Sequence, residues 1–158
     1  MKHKLTLLTL LFISILGSAP AYAQKQLSDT DRQRWLSELR TYKHEYLTKE
    51  LSLTKEQQRD FFPLYDKMED EVERINTETR QLETTASDKT DASELELENA
   101  ARTVFEQKRA EGQVEMTYFE KFKEILSPRQ LLRLKNAERK FTQQLVKHHR
   151  RMKGSKQN

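Results

Sequence analysis

The side chains best suited to hold a transition metal, beyond the first 23 residues, are three histidines: His44, His148 and His149. Adjacent His148 and His149 point about 100° apart on a helix, so they make weak metal candidates as a pair. His148 and Met152 stand at i, i+4 and can share a face, while His44 is far from both in sequence. No HExxH pattern is present, and the acids are too many for one carboxylate site to be singled out. The chain contains no cysteine, which removes disulfides, thiolate metal sites, a lipidated cysteine and a cysteine nucleophile. It also lacks a glycine-rich phosphate loop and a nucleophile elbow. These residues predict neither an enzyme nor a bound cofactor.

The chemistry that does recur is hydrogen bonding at helix starts. Leu53-Thr54-Lys55-Glu56-Gln57 and Leu126-Ser127-Pro128-Arg129-Gln130 each place a hydroxyl three residues before a glutamine, 73 positions apart. That is the pattern of a capping box. The hydroxyl oxygen accepts from the N3 amide, and the glutamine reaches back to the cap amide. The second copy adds Pro128 at the first helical position, where a missing N–H costs nothing. It also adds Leu126 and Leu131 at staple positions, which the first copy lacks because Gln58 stands there. The six residues Leu53, Thr54, Gln57, Leu126, Ser127 and Gln130 are therefore expected to be structural, fixing where two helices begin.

The elements that position these motifs read as helices throughout, because no segment sustains two-residue alternation and, beyond residue 23, Gly112 is the only glycine before Gly154. A first helix is predicted from Asp29 to Leu51, with Ser28 and Asp31 as a capping pair and a stripe of Trp35, Leu39, Tyr42 and Tyr46. A second runs from Thr54 to about Glu83. Its Phe61, Tyr65, Met68, Val72, Ile75, Thr79 and Leu82 alternate by four and three, a coiled-coil-like seam. Pro63 should kink it. Thr84 to Ser93 is predicted as a loop. A third helix spans Glu94 to Leu126. Its seam has apolar ends but carries Lys108, Glu111 and Glu115 in the middle, and a second stripe of Phe105, Gly112, Met116 and Phe119 lies to one side. That pattern allows either a packing seam that changes phase or an open surface mixing charge with apolar groups. A fourth helix runs from Ser127 to about Arg150 on Leu131, Leu134, Phe141 and Leu145, with Glu138 interrupting.

Residues 1–23 have the form of a secretory signal peptide: Lys2 and Lys4, an apolar run from Leu5 to Leu16, then Ala21-Tyr22-Ala23, with cleavage expected before Gln24. No second apolar run is long enough to span a bilayer. Apolar residues make up 35% of the chain and fewer still once the leader is set aside, against about 45–50% in ordinary domains. A thick globular core is not expected; long amphipathic helices sharing a core in a homodimer fit better. The organisation predicted is a helical domain over 24–150 followed by a basic, disordered tail over 151–158. From Lys147 onward Lys147, Arg150, Arg151, Lys153 and Lys156 face no acid. They read as a solvated helix end, or as an attraction to acidic partners or anionic lipid. Nucleic acid is a poor partner for an exported chain.

The duplicated Leu-Thr/Ser-x-x-Gln signal resembles the LTxxQ motif of the Spy/CpxP family of periplasmic proteins. The order of features matches as well: a signal peptide, four helices, and one motif opening the second helix and one the fourth. Ser127 stands where the usual residue is threonine, which preserves the cap chemistry. The resemblance implies an all-α, four-helix elongated curved hairpin that dimerises into a cradle, antiparallel, in the periplasm. It implies an ATP-independent chaperone or envelope-stress accessory protein, whose partners are unfolded clients or an envelope sensor protein. The alternative it carries is a regulatory module for a sigma-factor or metal-stress system, with a divalent metal. On the chaperone reading, Phe105, Lys108, Arg109, Met116 and Phe119 are the candidate client contacts.

Overall fold

Helix α1 (Asp29–Leu51) begins where Ser28 turns its hydroxyl onto the Asp31 N–H, accepting at 3.2 Å, and donates to the Asp31 carboxylate at 2.8 Å. It ends on Ser52, whose left-handed backbone (φ 52°, ψ 50°) is unusual for a residue with a side chain. The Ser52 N–H bonds to the Lys49 carbonyl at 3.2 Å and the Leu53 N–H to the Thr48 carbonyl at 3.0 Å. These two bonds are a Schellman motif, and Leu53 is the apolar residue that seals it; Leu53 and Leu47 are both buried. The structure, a computed structural model, describes residues 28–154, with side chains described for 28 and 30–147. The leader expected at 1–23 and residues 155–158 of the expected tail lie outside these residues, while 151–154, expected to be disordered, continue the last helix.

Thr54 caps α2 (Lys55–Asp88) at once, so only Ser52, Leu53 and Thr54 separate the first two helices. The helix continues five residues past the predicted stop at Glu83. Thr84, Thr85, Ala86, Ser87 and Asp88 are polar or small, but none is a breaker, and an exposed helical turn accommodates them. The helix also runs through Pro63, which sits on its exposed face. Ser93 opens α3 (Glu94–Phe122). This helix stops four residues earlier than the apolar periodicity suggests, because the Phe122 carbonyl accepts both the Ile125 N–H (3.0 Å) and the Leu126 N–H (2.8 Å) in a closing turn. Ser127 then caps the next helix through its hydroxyl, and α4 runs Pro128–Gly154. Among the described residues there are four helices and no strand.

The described residues form two compact units. One is continuous, 54–131. In it α2 and α3 pack with opposite direction: Phe61 meets Phe122 (ring centroids 4.9 Å), Glu71 meets Tyr118, Asn76 meets Gln107, and Lys89 meets Glu96. Its apolar core is Phe61, Tyr65, Met68, Ala100, Tyr118, Phe122 and Leu126, so the four-three seam of α2 is buried over its first turns; Val72 and Ile75 are half-buried, Thr79 is buried, and Leu82 at the end of the seam is exposed. The other unit joins 28–53 to 132–154. Phe141 packs between the rings of Tyr42 and Tyr46 at 5.6 and 5.4 Å, and Leu47, Leu51, Leu53, Leu134 and Ala137 are buried. Ala137, not Glu138, holds the buried position between Leu134 and Phe141; Glu138 turns aside to Lys135 at 3.1 Å.

Candidate functional site

The two repeated motifs meet. At the first, the Gln57 N–H donates to Thr54 Oγ1 (3.2 Å) and the Thr54 N–H donates to Gln57 Oε1 (3.1 Å). At the second, the Gln130 N–H donates to Ser127 Oγ (3.3 Å) and the Ser127 N–H to Gln130 Oε1 (2.9 Å). Both boxes thus form as the spacing predicts. Beyond that, Gln57 Nε2 donates to Gln130 Oε1 at 3.0 Å and Gln130 Nε2 donates back to Gln57 Oε1 at 2.9 Å. Gln57 Nε2 also donates to the Ile125 carbonyl at 2.9 Å. The result is a closed carboxamide pair, half-buried, tying the first turn of α2 to the first turn of α4.

This arrangement explains the residue type. A capping box accepts Glu or Gln equally at N3. A reciprocal pair needs a donor and an acceptor on each side chain, which of these two residues only glutamine supplies at neutral pH. A third box makes the contrast. Ser93 and Glu96 open α3 with the same reciprocal bonds (Glu96 N–H to Ser93 Oγ 3.3 Å; Ser93 N–H to Glu96 Oε2 2.9 Å), but they face solvent. There the N3 residue is an acid that takes a salt bridge from Lys89 at 2.7 Å. That hydrogen bond and the Ser93 donors hold the Glu96 carboxyl down at about 2. Sequence reading missed both the pairing and the third box. Ser93-x-x-Glu96 was legible as a pattern. The pairing was legible only by combining the two motifs with the antiparallel register of α2 and α3.

The α2–α3 interface is not apolar throughout. Glu111 is 8% exposed and takes Lys108 Nζ at 2.6 Å and Gln107 Nε2 at 2.8 Å. Gln107 also donates to Asn76 across the interface. Burial alone would raise the Glu111 carboxyl, but the bonds from Lys108 and Gln107 outweigh it and hold it below the ordinary range. Nearby, the buried Tyr118 hydroxyl donates to the Glu71 carboxylate, which with burial pushes the phenol up to about 12. Of the charged seam of α3, Glu111 therefore lies on the packed side, while Lys108 reaches it from the exposed flank.

The apolar stripe of α3 faces outward. Phe105 is 88% exposed and Met116 58%, with Phe119 also exposed. Lys108 and Arg109 stand on the same face, mostly solvated, with ion pairs to Glu111 and Glu106 on their own helix. All five residues predicted for client contact are brought to one surface. Of the metal candidates, His148 and His149 belong to α4 but their side chains lie outside those described, and His44 is half-buried on α1. Among the described residues no three His, Asp or Glu side chains gather as a metal ion would need, and no helix is long and apolar enough to cross a membrane. No family model, curated protein or solved structure matches the chain.

Proposed function

We propose that the chain is an exported, ATP-independent chaperone-like or envelope-stress accessory protein of the Spy/CpxP kind, acting in the periplasm after cleavage before Gln24 as a homodimer of curved helical hairpins. The observation that carries this reading is the outward apolar stripe of α3, with Phe105 at its most exposed point. A monomeric soluble protein rarely displays large apolar side chains in a row, and a row of them marks an interaction surface. The two paired LTxxQ-type motifs support the family side of the reading.

Mechanistically, unfolded segments expose apolar side chains beside charge of either sign. Phe105, Met116 and Phe119 offer contact area to the first, and Lys108 and Arg109 speed encounter with the acidic part of the second. Met116 adapts its shape to many partners. Small contact area keeps each complex weak and releases clients without a nucleotide cycle.

The test uses the chain from Gln24 to Asn158. It should suppress aggregation of a denatured client at near-stoichiometric ratio. Changing Phe105, Met116 and Phe119 together to serine should leave helicity unchanged, since all three are exposed, and cost about fivefold or more in suppression. No suppression by the native chain at about tenfold excess, or a triple variant as active as the native chain, would end this reading.

A further inference from the structure

Methionine supplies all the sulfur in this chain, since cysteine is absent. Two of its thioethers lie among the described side chains, and their settings are opposite. Met68 is 4% exposed in the core between α2 and α3, whereas Met116 is 58% exposed on the outward stripe of α3. A side chain on a helix leans back over the preceding turn, which for Met116 belongs to Gly112 and Gln113. Gly112 places no side chain there. A Cβ built on Gly112 meets nothing within 4 Å, so no other residue fills that space. Glycine disfavours helix relative to alanine, and no close approach inside the molecule requires it here. Its effect is to leave one side of Met116 bare.

We propose that Met116 is a reversible oxidation site through which peroxide turns down the client surface. The thioether sulfur attacks one peroxide oxygen. An S–O bond forms as the O–O bond breaks, sulfur gives up two electrons, and the second oxygen leaves as hydroxide. The hydroxide takes the proton of the transferred oxygen and becomes water. The product, methionine sulfoxide, is polar where the thioether was apolar and pliable. It stands in the row that runs from Phe105 to Phe119, so the stripe loses part of its apolar area. The packing of α2 on α3 is untouched, because Met68 is shielded and Met116 takes no part in that core. Methionine sulfoxide reductases restore the thioether, one enzyme for each epimer at sulfur. The regulatory consequence rests on the proposed function; the chemistry at the sulfur does not.

The test treats the chain from Gln24 to Asn158 with hydrogen peroxide. Peptide mass spectrometry against time should show Met116 becoming sulfoxide at least about tenfold faster than Met68, with helicity by circular dichroism unchanged. Suppression of client aggregation should fall about threefold or more and return after treatment with both reductases. Met116→Leu has no sulfur at that position and should keep, through the same treatment, whatever suppression it starts with. Gly112→Leu puts a side chain over the thioether and should slow oxidation of Met116 about threefold or more. Equal rates at Met116 and Met68 in the folded chain overturn the site. Unchanged suppression after Met116 is oxidised, or equal loss in the native and Met116→Leu chains, overturns the regulation. An unchanged Met116 rate in Gly112→Leu overturns the part given to the glycine. A native chain that suppresses nothing before treatment ends the proposed function and its regulation together, while the modification site still stands or falls on the mass readings, which involve no client.

Discussion

The carboxamide pair concentrates more consequence in two residues than any other contact described. Each glutamine closes its own cap and half of the shared ring. Gln57→Ala removes four side-chain hydrogen bonds, and at about 0.5–1 kcal/mol net for each the loss comes to about 2–4 kcal/mol. Gln57→Glu isolates the pairing from the cap, because a carboxylate still accepts the Thr54 N–H. It removes the donor to Gln130 Oε1 and to the Ile125 carbonyl, and sets negative charge against both acceptors. We expect a cost of about 2–3 kcal/mol at about pH 7 by urea unfolding, narrowing near pH 4 as the carboxyl regains a proton and with it one donor. Equal stability of Gln57→Glu and the native chain at neutral pH would show the pair to be incidental.

Glu96 gives a pH prediction of the opposite kind. Its folded value, about 2, lies below the ordinary carboxyl value of 4.5. A depressed carboxyl stabilises the fold above its unfolded value and loses that contribution as pH falls through the folded one. Glu96→Gln keeps the box but not the charge facing Lys89. The thermal midpoints of the native chain and of Glu96→Gln should therefore differ above about pH 4.5 and converge as pH approaches about 2. Being exposed, the difference should also shrink in high salt. A gap that stays constant down to pH 2 would remove the Lys89 interaction from the account.

At the scale of elements, sequence and structure agree where local chemistry decides and part where a partner does. The α1 limits are those read from Ser28 and from the end of the stripe at Leu51, because a hydroxyl cap and a closing leucine act within a few residues. The end of α3 was misplaced because Ile125 and Leu126 keep apolar periodicity inside a turn; they are half-buried and buried there without being helical. The two-sided character of α3 could not be settled from periodicity, which counts apolar residues and cannot see that Lys108 and Gln107 satisfy a buried carboxylate. That polar layer leads to a prediction. A buried charge held by hydrogen bonds contributes less to stability than to register. Glu111→Leu should leave stability within about 1 kcal/mol of the native chain or raise it, since Gln107 keeps Asn76 and exposed Lys108 returns to water. A loss above about 3 kcal/mol would mean that the carboxylate holds the interface together by itself.

For the whole molecule, chain connectivity makes the two units unequal. The 54–131 unit is one continuous stretch whose helices are neighbours in sequence, whereas the other must bring residues 28–53 to 132–154 across that stretch. Closing so long a loop is unfavourable when the intervening chain is disordered, and much of the cost vanishes once 54–131 is folded. The discontinuous unit can therefore open alone, while opening of 54–131 takes the other with it. Phe141→Ala tests this. The ring is 3% exposed and wedged between Tyr42 and Tyr46, so its loss should cost about 3–5 kcal/mol locally. In amide exchange that loss should appear as faster exchange in α1 and in α4 from Leu132 onward, with α2 and α3 keeping native protection around Phe61 and Phe122. Phe61→Ala, at a residue with no exposure, should accelerate all four helices. Uniform acceleration by both variants would mean one cooperative unit, and folding of 54–131 could then no longer be taken as the step that precedes the joining of 28–53 to 132–154.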